Sequence, residues 1–422
     1  MRIGLFVTLA LFSALPFSPR PALADDAAAT AQLQELLDAY VKERGPTERL
    51  SGAALQVDRG GGYPILTVYS GDNGLSDKKP IGPDTLFDIG SNTKEFTAPL
   101  ILKLEAAGKL KIDDTIGKWL PQYPAWKDVT IRSLLQMTSP IPNYSETIAI
   151  GEIQVADINH QFSAKDLIGF VDPAGGNHFP PATGWFYSNT NYILAGLIIE
   201  AASGMNYEQA LTTMILEPLG LHDTYYADGP HPGRAAAAPV MWRVPRALFM
   251  LQDCLDYQLQ PCAVSTLAPL IGGDMRLQNR SWAAEAGAII SNPRDLALWI
   301  RALFGGRVIP AHQLEEMTTL VSNKTGLPLQ EVSADAPEAF GLGLGRFYRK
   351  EIGGAYWFYE GETLGFRTIF AYWPQDDLLI TGSVNSRPPN GEDKFGPAVI
   401  GGAFTALQQV SPPEGASKPA AK

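Results

Sequence analysis

A serine and a lysine three residues apart, Ser91 and Lys94, head an apolar stretch in Leu86-Phe-Asp-Ile-Gly-Ser-Asn-Thr-Lys-Glu-Phe-Thr97. A serine hydroxyl is a poor nucleophile at neutral pH and needs a neighbouring base. A lysine can serve once burial or nearby cations depress its pKa. At i and i+3 the two side chains share one helix face. Phe96, Pro99, Leu100, Ile101 and Leu104 follow at the spacing of an amphipathic helix that Gly108 would end. Ser91 would then lie at a helix N-terminus, where backbone N–H groups favour developing negative charge. The bland alternative is an N-cap serine with a surface lysine. Ser76-Asp-Lys-Lys79 has the same spacing, but its Gly/Asp/Lys-rich surroundings read as a solvated loop.

A second candidate cluster is Tyr187-Ser-Asn189, which follows the turn-rich Phe179-Pro-Pro-Ala-Thr-Gly-Trp-Phe186 and precedes the apolar, helix-like Tyr192 to Glu200. A phenol near a lysine can relay protons between nucleophile, base and leaving group, and an adjacent amide can bond both lysine and substrate. By itself Tyr187 reads more readily as a tyrosine at the edge of a core with a satisfied hydroxyl.

These residues need elements to hold them. Leu33, Leu36, Leu37, Tyr40 and Val41 form a helical stripe, and Ala53 to Val57 and Ile65 to Tyr69 form two β-like runs around Gly60-Gly-Gly62. Thr368 to Trp373 and Leu378 to Val384 flank Pro374-Gln-Asp-Asp377 as another hairpin, followed by a helix-like stretch from about Ala398 to Val410. The middle carries helical periods and Pro-marked loops. A chain of 422 residues exceeds one ordinary core, so two lobes are expected: an α/β part over 25–100 and 275–410, and a mostly helical lobe over 101–274. The tail, 411–422, reads as disordered.

Residues 1–24 have the pattern of an export signal, with Arg2, an apolar run to Phe17 and Ala22-Leu-Ala24 before a cut ahead of Asp25. The run is too short for a membrane span, so a periplasmic or secreted protein is expected. Loss of those residues removes two arginines from the 33 basic and 44 acidic residues, giving a formal charge of −13. That charge argues against nucleic acid and anionic membranes as partners. In an oxidising compartment Cys254 and Cys262 are expected to form one local disulfide, two free thiols or a metal pair being the alternatives, the metal pair without a further His or Cys at ligand spacing.

Taken together the motifs resemble the serine β-lactamase-related family, which includes class C β-lactamases, D-Ala-D-Ala carboxypeptidases, D-aminopeptidases and family VIII esterases. The likeness runs from about residue 30 to 410. It includes Phe87 to Lys94, Leu104 to Thr115 into Leu120-Pro121, Val129 to Leu135 with Met137 to Tyr144, Tyr187 to Asn189, Pro218 to Thr224 and Ala286 to Leu296. It implies an α/β fold, an antiparallel β-sheet flanked by helices with an inserted mostly helical lobe. It also implies acyl-enzyme chemistry on a small-molecule or short peptide substrate without a cofactor. Ser91 would attack a carbonyl, Lys94 and Tyr187 would handle its proton, and Asn189 would orient Lys94 and the substrate amide.

The family's third motif usually reads Lys-Thr-Gly or His-x-Gly on a strand beside the nucleophile. Lys324-Thr-Gly326 matches literally but precedes the Phe340-Gly-Leu-Gly-Leu-Gly345 segment that should come first. Order places the motif at Tyr359-Glu-Gly361, where the cation is missing. The oxyanion hole would use the backbone N–H groups of Ser91 and Glu362. Glu360 and Glu362, if they faced the cleft, would repel a substrate carboxylate.

Rival chemistries find less support. No G-x-S-x-G elbow is present for a Ser-His-Asp hydrolase. None of the five histidines has metal-ligand spacing, so no metal is expected. A non-catalytic, penicillin-binding-like sensor that lost turnover through the altered third motif is the rival from another class. The sequence sets no oligomeric state.

Overall fold

The computed structural model describes residues 24–48, 50–74, 78–171, 183–227, 275, 278–386 and 395–409. Cys254, Cys262, residues 1–23 and the tail from 410 lie outside the described residues, as does Ser76.

Nine strands form one sheet. They are β1 (Gly52–Asp58), β2 (Leu66–Gly71), β6 (Leu320–Ser322), β7 (Pro328–Leu329), β8 (Glu338–Phe340), β9 (Gly345–Arg349), β10 (Gly354–Glu362), β11 (Arg367–Trp373) and β12 (Leu378–Val384), in the order β2-β1-β12-β11-β10-β9-β8-β6-β7. Every pairing in it is antiparallel. Three short strands, β3 (Phe87–Asp88), β4 (Tyr225–Tyr226) and β5 (Ile289–Ser291), make a second sheet ordered β3-β5-β4.

The main sheet is covered on both faces. Strand alternation sends Ile369, Ala371 and Trp373 to one side, where Leu33, Leu37, Val399 and Phe404 from α1 (Ala24–Glu48) and the C-terminal helical turn complete a core. Phe370, Trp357 and Tyr359 point the other way, into a larger core built on α2 (Lys94–Ala106), α3 (Asn189–Ser203) and α4 (Pro293–Phe304). The C-terminal helix, α5 (Gly401–Gln409), continues a π-helical turn over Gly396–Ile400. No helix among the described residues is long and apolar enough to cross a membrane.

Two expectations need correction. The boundary drawn between residues 100 and 101 falls inside α2, a single uninterrupted helix. That helix is also not amphipathic: Lys94 through Leu102 are all buried. It runs between the sheet and the other helices, so every side must meet protein. Phe96 stacks on Trp299 of α4 with centroids 4.0 Å apart, and Gly343 lies against the Lys94 carbonyl, where an added Cβ would come within 2.7 Å.

Candidate active site

Ser91 sits in a 3-10 turn, Gly90–Thr93, that runs directly into α2. Its neighbours pin this turn to the sheets. Asn92 Nδ2 donates to the carbonyls of Ile89 (2.9 Å) and Thr368 (2.8 Å), and Thr93 Oγ1 accepts from Ile289 N at 3.1 Å. Tyr187 and Asn189 arrive on an extended segment held by Phe186 N donating to Met137 O at 2.9 Å and Ser188 Oγ donating to Pro142 O at 3.1 Å. Along that segment Trp185, Tyr187 and Asn189 are half-buried while Phe186 and Ser188 are buried, so the odd-numbered side chains share the open side.

The four residues meet at Lys94. Its Nζ lies 3.1 Å from Ser91 Oγ, 2.7 Å from Asn189 Oδ1 and 2.8 Å from the Ala286 carbonyl, and it sits over the Tyr187 ring at 4.8 Å. Tyr187 Oη donates to Ser91 Oγ at 2.6 Å. Lys94 is fully buried, and the loss of hydration drives its pKa well below the ordinary lysine value. A neutral amine has two N–H bonds. Donated to Asn189 Oδ1 and Ala286 O, they leave the nitrogen lone pair for the Ser91 hydroxyl proton. Asn189 is itself held, its N–H donating to Asn143 Oδ1 at 3.0 Å and its Nδ2 to Ser145 Oγ at 2.9 Å.

The strand beside the nucleophile is β10. Gly361 packs so closely on the Ser91 turn that an added Cβ would lie 1.8 Å from Ile89 O and 2.7 Å from Ser91 N. Gly90, at φ +51°, would reciprocally bring a Cβ within 2.5 Å of Glu362 N. Two glycines thus let the backbones of Ser91 and Glu362 approach each other. The register pairs Tyr359 with Phe370, Gly361 with Thr368, Glu360 with Ile369 and Glu362 with Arg367. Glu360 and Glu362 therefore project to the face opposite Tyr359, away from α2. Their carboxylates do not line the cleft side of the strand, and Glu362 brings only its backbone. Lys324-Thr-Gly326 is the turn between β6 and β7, with Lys324 exposed.

Sequence reasoning missed the Ala286 carbonyl, Ser145 and Asn143. Ala286 lay within a motif used for the resemblance, but a backbone acceptor has no signature in residue type. Asp88 was also missed. It precedes the Ser91 turn, accepts from Arg280 Nε at 2.7 Å, Gln278 Nε2 at 3.1 Å and Thr363 Oγ1 at 3.1 Å, and so ties the end of β10 to β3.

The family model described as Beta-lactamase matches residues 34–403. Penicillin-binding protein 4* of Bacillus subtilis (strain 168) is 35% identical over 183 residues, which cover 43% of this chain and 39% of that relative's length. Among solved structures, a D-stereospecific amidohydrolase from Streptomyces sp. superposes with a TM-score of 0.68 at 27% identity, covering 89% of this chain and 98% of the other. D-amino acid amidase from Ochrobactrum anthropi SV3, complexed with D-phenylalanine, gives 0.73 at 23% identity over 91% and 99%. With its family model matched across most of its length, the chain belongs to the beta-lactamase family.

Proposed function

We propose that the protein is a serine hydrolase that cleaves an ester or amide through an acyl-Ser91 intermediate. The observation that carries this is the buried Lys94 amine, with two carbonyl acceptors for its N–H bonds and Ser91 Oγ at 3.1 Å. Lys94 takes the Ser91 proton as Oγ bonds to the substrate carbonyl carbon. The resulting oxyanion is received by the N–H groups of Ser91 and Glu362. Tyr187, against Ser91 Oγ, passes a proton to the departing alcohol or amine and is replenished from Lys94. Water then attacks the ester carbonyl by the same route in reverse, releasing the acid and restoring Ser91.

Esters and D-amino-acid amides are favoured as substrates over β-lactams and D-Ala-D-Ala peptides. Tyr359 offers no positive charge where those last two present a carboxylate, and two structural relatives bear the names of D-amino acid amidase and D-stereospecific amidohydrolase. The export pattern of residues 1–24 favours action outside the cytoplasm.

The test is labelling of Ser91 by a fluorophosphonate together with turnover of a p-nitrophenyl ester, a D-amino-acid anilide, a D-Ala-D-Ala peptide and nitrocefin. Absence of both labelling and turnover would sink the hydrolase reading in favour of a binding protein.

A further inference from the structure

The proposed base depends on which end of an amide faces it. A neutral Lys94 needs acceptors for both of its N–H bonds to leave its lone pair on Ser91, and Asn189 supplies one of them through Oδ1 at 2.7 Å. The oxygen and nitrogen of a carboxamide are nearly the same size, so packing does not choose between them; hydrogen-bond polarity does. Turned over, Asn189 would present Nδ2 to the amine, draw the lone pair to itself and leave an N–H of Lys94 pointing at Ser91 Oγ. Lys94 would then be a donor to the nucleophile instead of its base.

A chain of hydrogen bonds fixes that polarity, and it starts from two backbone N–H groups, which can only donate. Asn189 N lies 3.0 Å and Ser145 N 3.3 Å from the same side-chain atom of buried Asn143, which must therefore be Oδ1, and Asn143 Nδ2 turns to Oε1 of Glu146 at 2.9 Å. Asn143 Oδ1 carries no proton, so the Ser145 hydroxyl 3.0 Å away is the donor of that pair. Its single proton is thereby spent, and toward Asn189, 2.9 Å away, Ser145 Oγ only accepts. The atom of Asn189 facing Ser145 is then Nδ2, and the atom left for Lys94 is Oδ1. The loop bearing Asn143 and Ser145 is itself tied to the start of α3. Tyr144 N donates to Thr190 Oγ1 at 3.1 Å, and Thr190 Oγ1 donates to Pro142 O at 2.6 Å.

We propose that Ser145 is a positioning residue for acyl transfer, holding the Asn189 amide with its oxygen on Lys94, and that Asn143 sets the direction in which the Ser145 hydroxyl donates. The inference rests on the acyl-Ser91 reading. The effect of both residues reaches Ser91 through Asn189 and Lys94.

The second-order rate of Ser91 labelling by a fluorophosphonate, read beside kcat and KM for a p-nitrophenyl ester, tests this. Ser145→Ala should lower the labelling rate and kcat about tenfold with KM changed less than about threefold, and Ser145→Thr, which keeps the hydroxyl, should stay within about threefold of wild type. In an Asn189→Ala background there is no amide to orient, and Ser145→Ala should cost less than about twofold. The acid limb of the labelling-rate profile supplies a direction. An amide N–H facing Lys94 disfavours its ammonium form, so Ser145→Ala should move the limb to lower pH, whereas loosened packing would readmit water and move it to higher pH. An equal loss from Ser145→Ala with and without Asn189, or a limb that stays or moves to higher pH, would overturn the proposal, as would a folded Ser145→Thr no better than Ser145→Ala. Should Ser145→Thr not fold by circular dichroism, the Asn189 background and the limb decide without it. Wild type that labels normally beside an unchanged Ser145→Ala defeats this inference alone, and wild type that neither labels nor turns over defeats the hydrolase reading with it.

Discussion

At the scale of single residues, the proposed chemistry turns on Lys94. Only its unprotonated amine can take the Ser91 proton, and burial has lowered its pKa. Activity should therefore fall as pH drops through that lowered value and hold above it, seen as the acid limb of a kcat/KM profile. Lys94→Ala should reduce kcat/KM by about 10²- to 10⁴-fold, with Ser91 still present for slow fluorophosphonate labelling. Tyr187→Phe should lose about 10²-fold or more in kcat, least for activated esters whose leaving groups need no proton. Ser91, Lys94, Tyr187 and Asn189 were legible because each stands in a short pattern of residue types followed by a helical period. The burial of Glu95 was not. An acidic residue in the first turn of a helix reads as an exposed complement to the dipole, and only the tertiary packing around α2 makes it a buried acid.

The elements act through how closely they pack. β10 reaches Ser91 only because Gly361 and Gly90 lack side chains, so Gly361→Ala should push the strand away and cost about 10²- to 10³-fold in kcat through the Glu362 N–H. A near-native melting temperature alongside that loss would locate the damage in the site. Asp88 works differently. It joins β3 to the end of β10 through Thr363 and neutralises buried Arg280, so Asp88→Ala should destabilise by about 3–5 kcal/mol in chemical denaturation. The two hairpins and the helices starting near Ser91 and Asn189 were legible from alternation and period. The buried character of α2 was not, because apolar spacing on one face of a helix is silent about Lys94, Glu95 and Thr97 on the others.

Across the whole molecule, two cores share one sheet, and the smaller is closed by a buried ion pair. Arg367 of β11 donates to Glu48 at the end of α1 at 2.5 Å and to the Ser386 carbonyl at 2.9 Å, with both charged side chains fully buried. Removing one partner strands the other charge, so Glu48→Ala should lower stability by about 3–5 kcal/mol, measured by urea unfolding, with little change in KM. That pairing joins positions 319 residues apart and has no local trace in the sequence. The same span governs how the chain is made. β1 finds its neighbour β12 by matching Ala53 to Val384, so the first hairpin to leave the ribosome must wait for almost the entire polypeptide. At about 5–20 residues per second, that interval lasts roughly 15–65 s. Through all of it an apolar strand edge stands open to other chains, which makes protection of the nascent chain, by a chaperone or by delayed folding, part of what this topology demands.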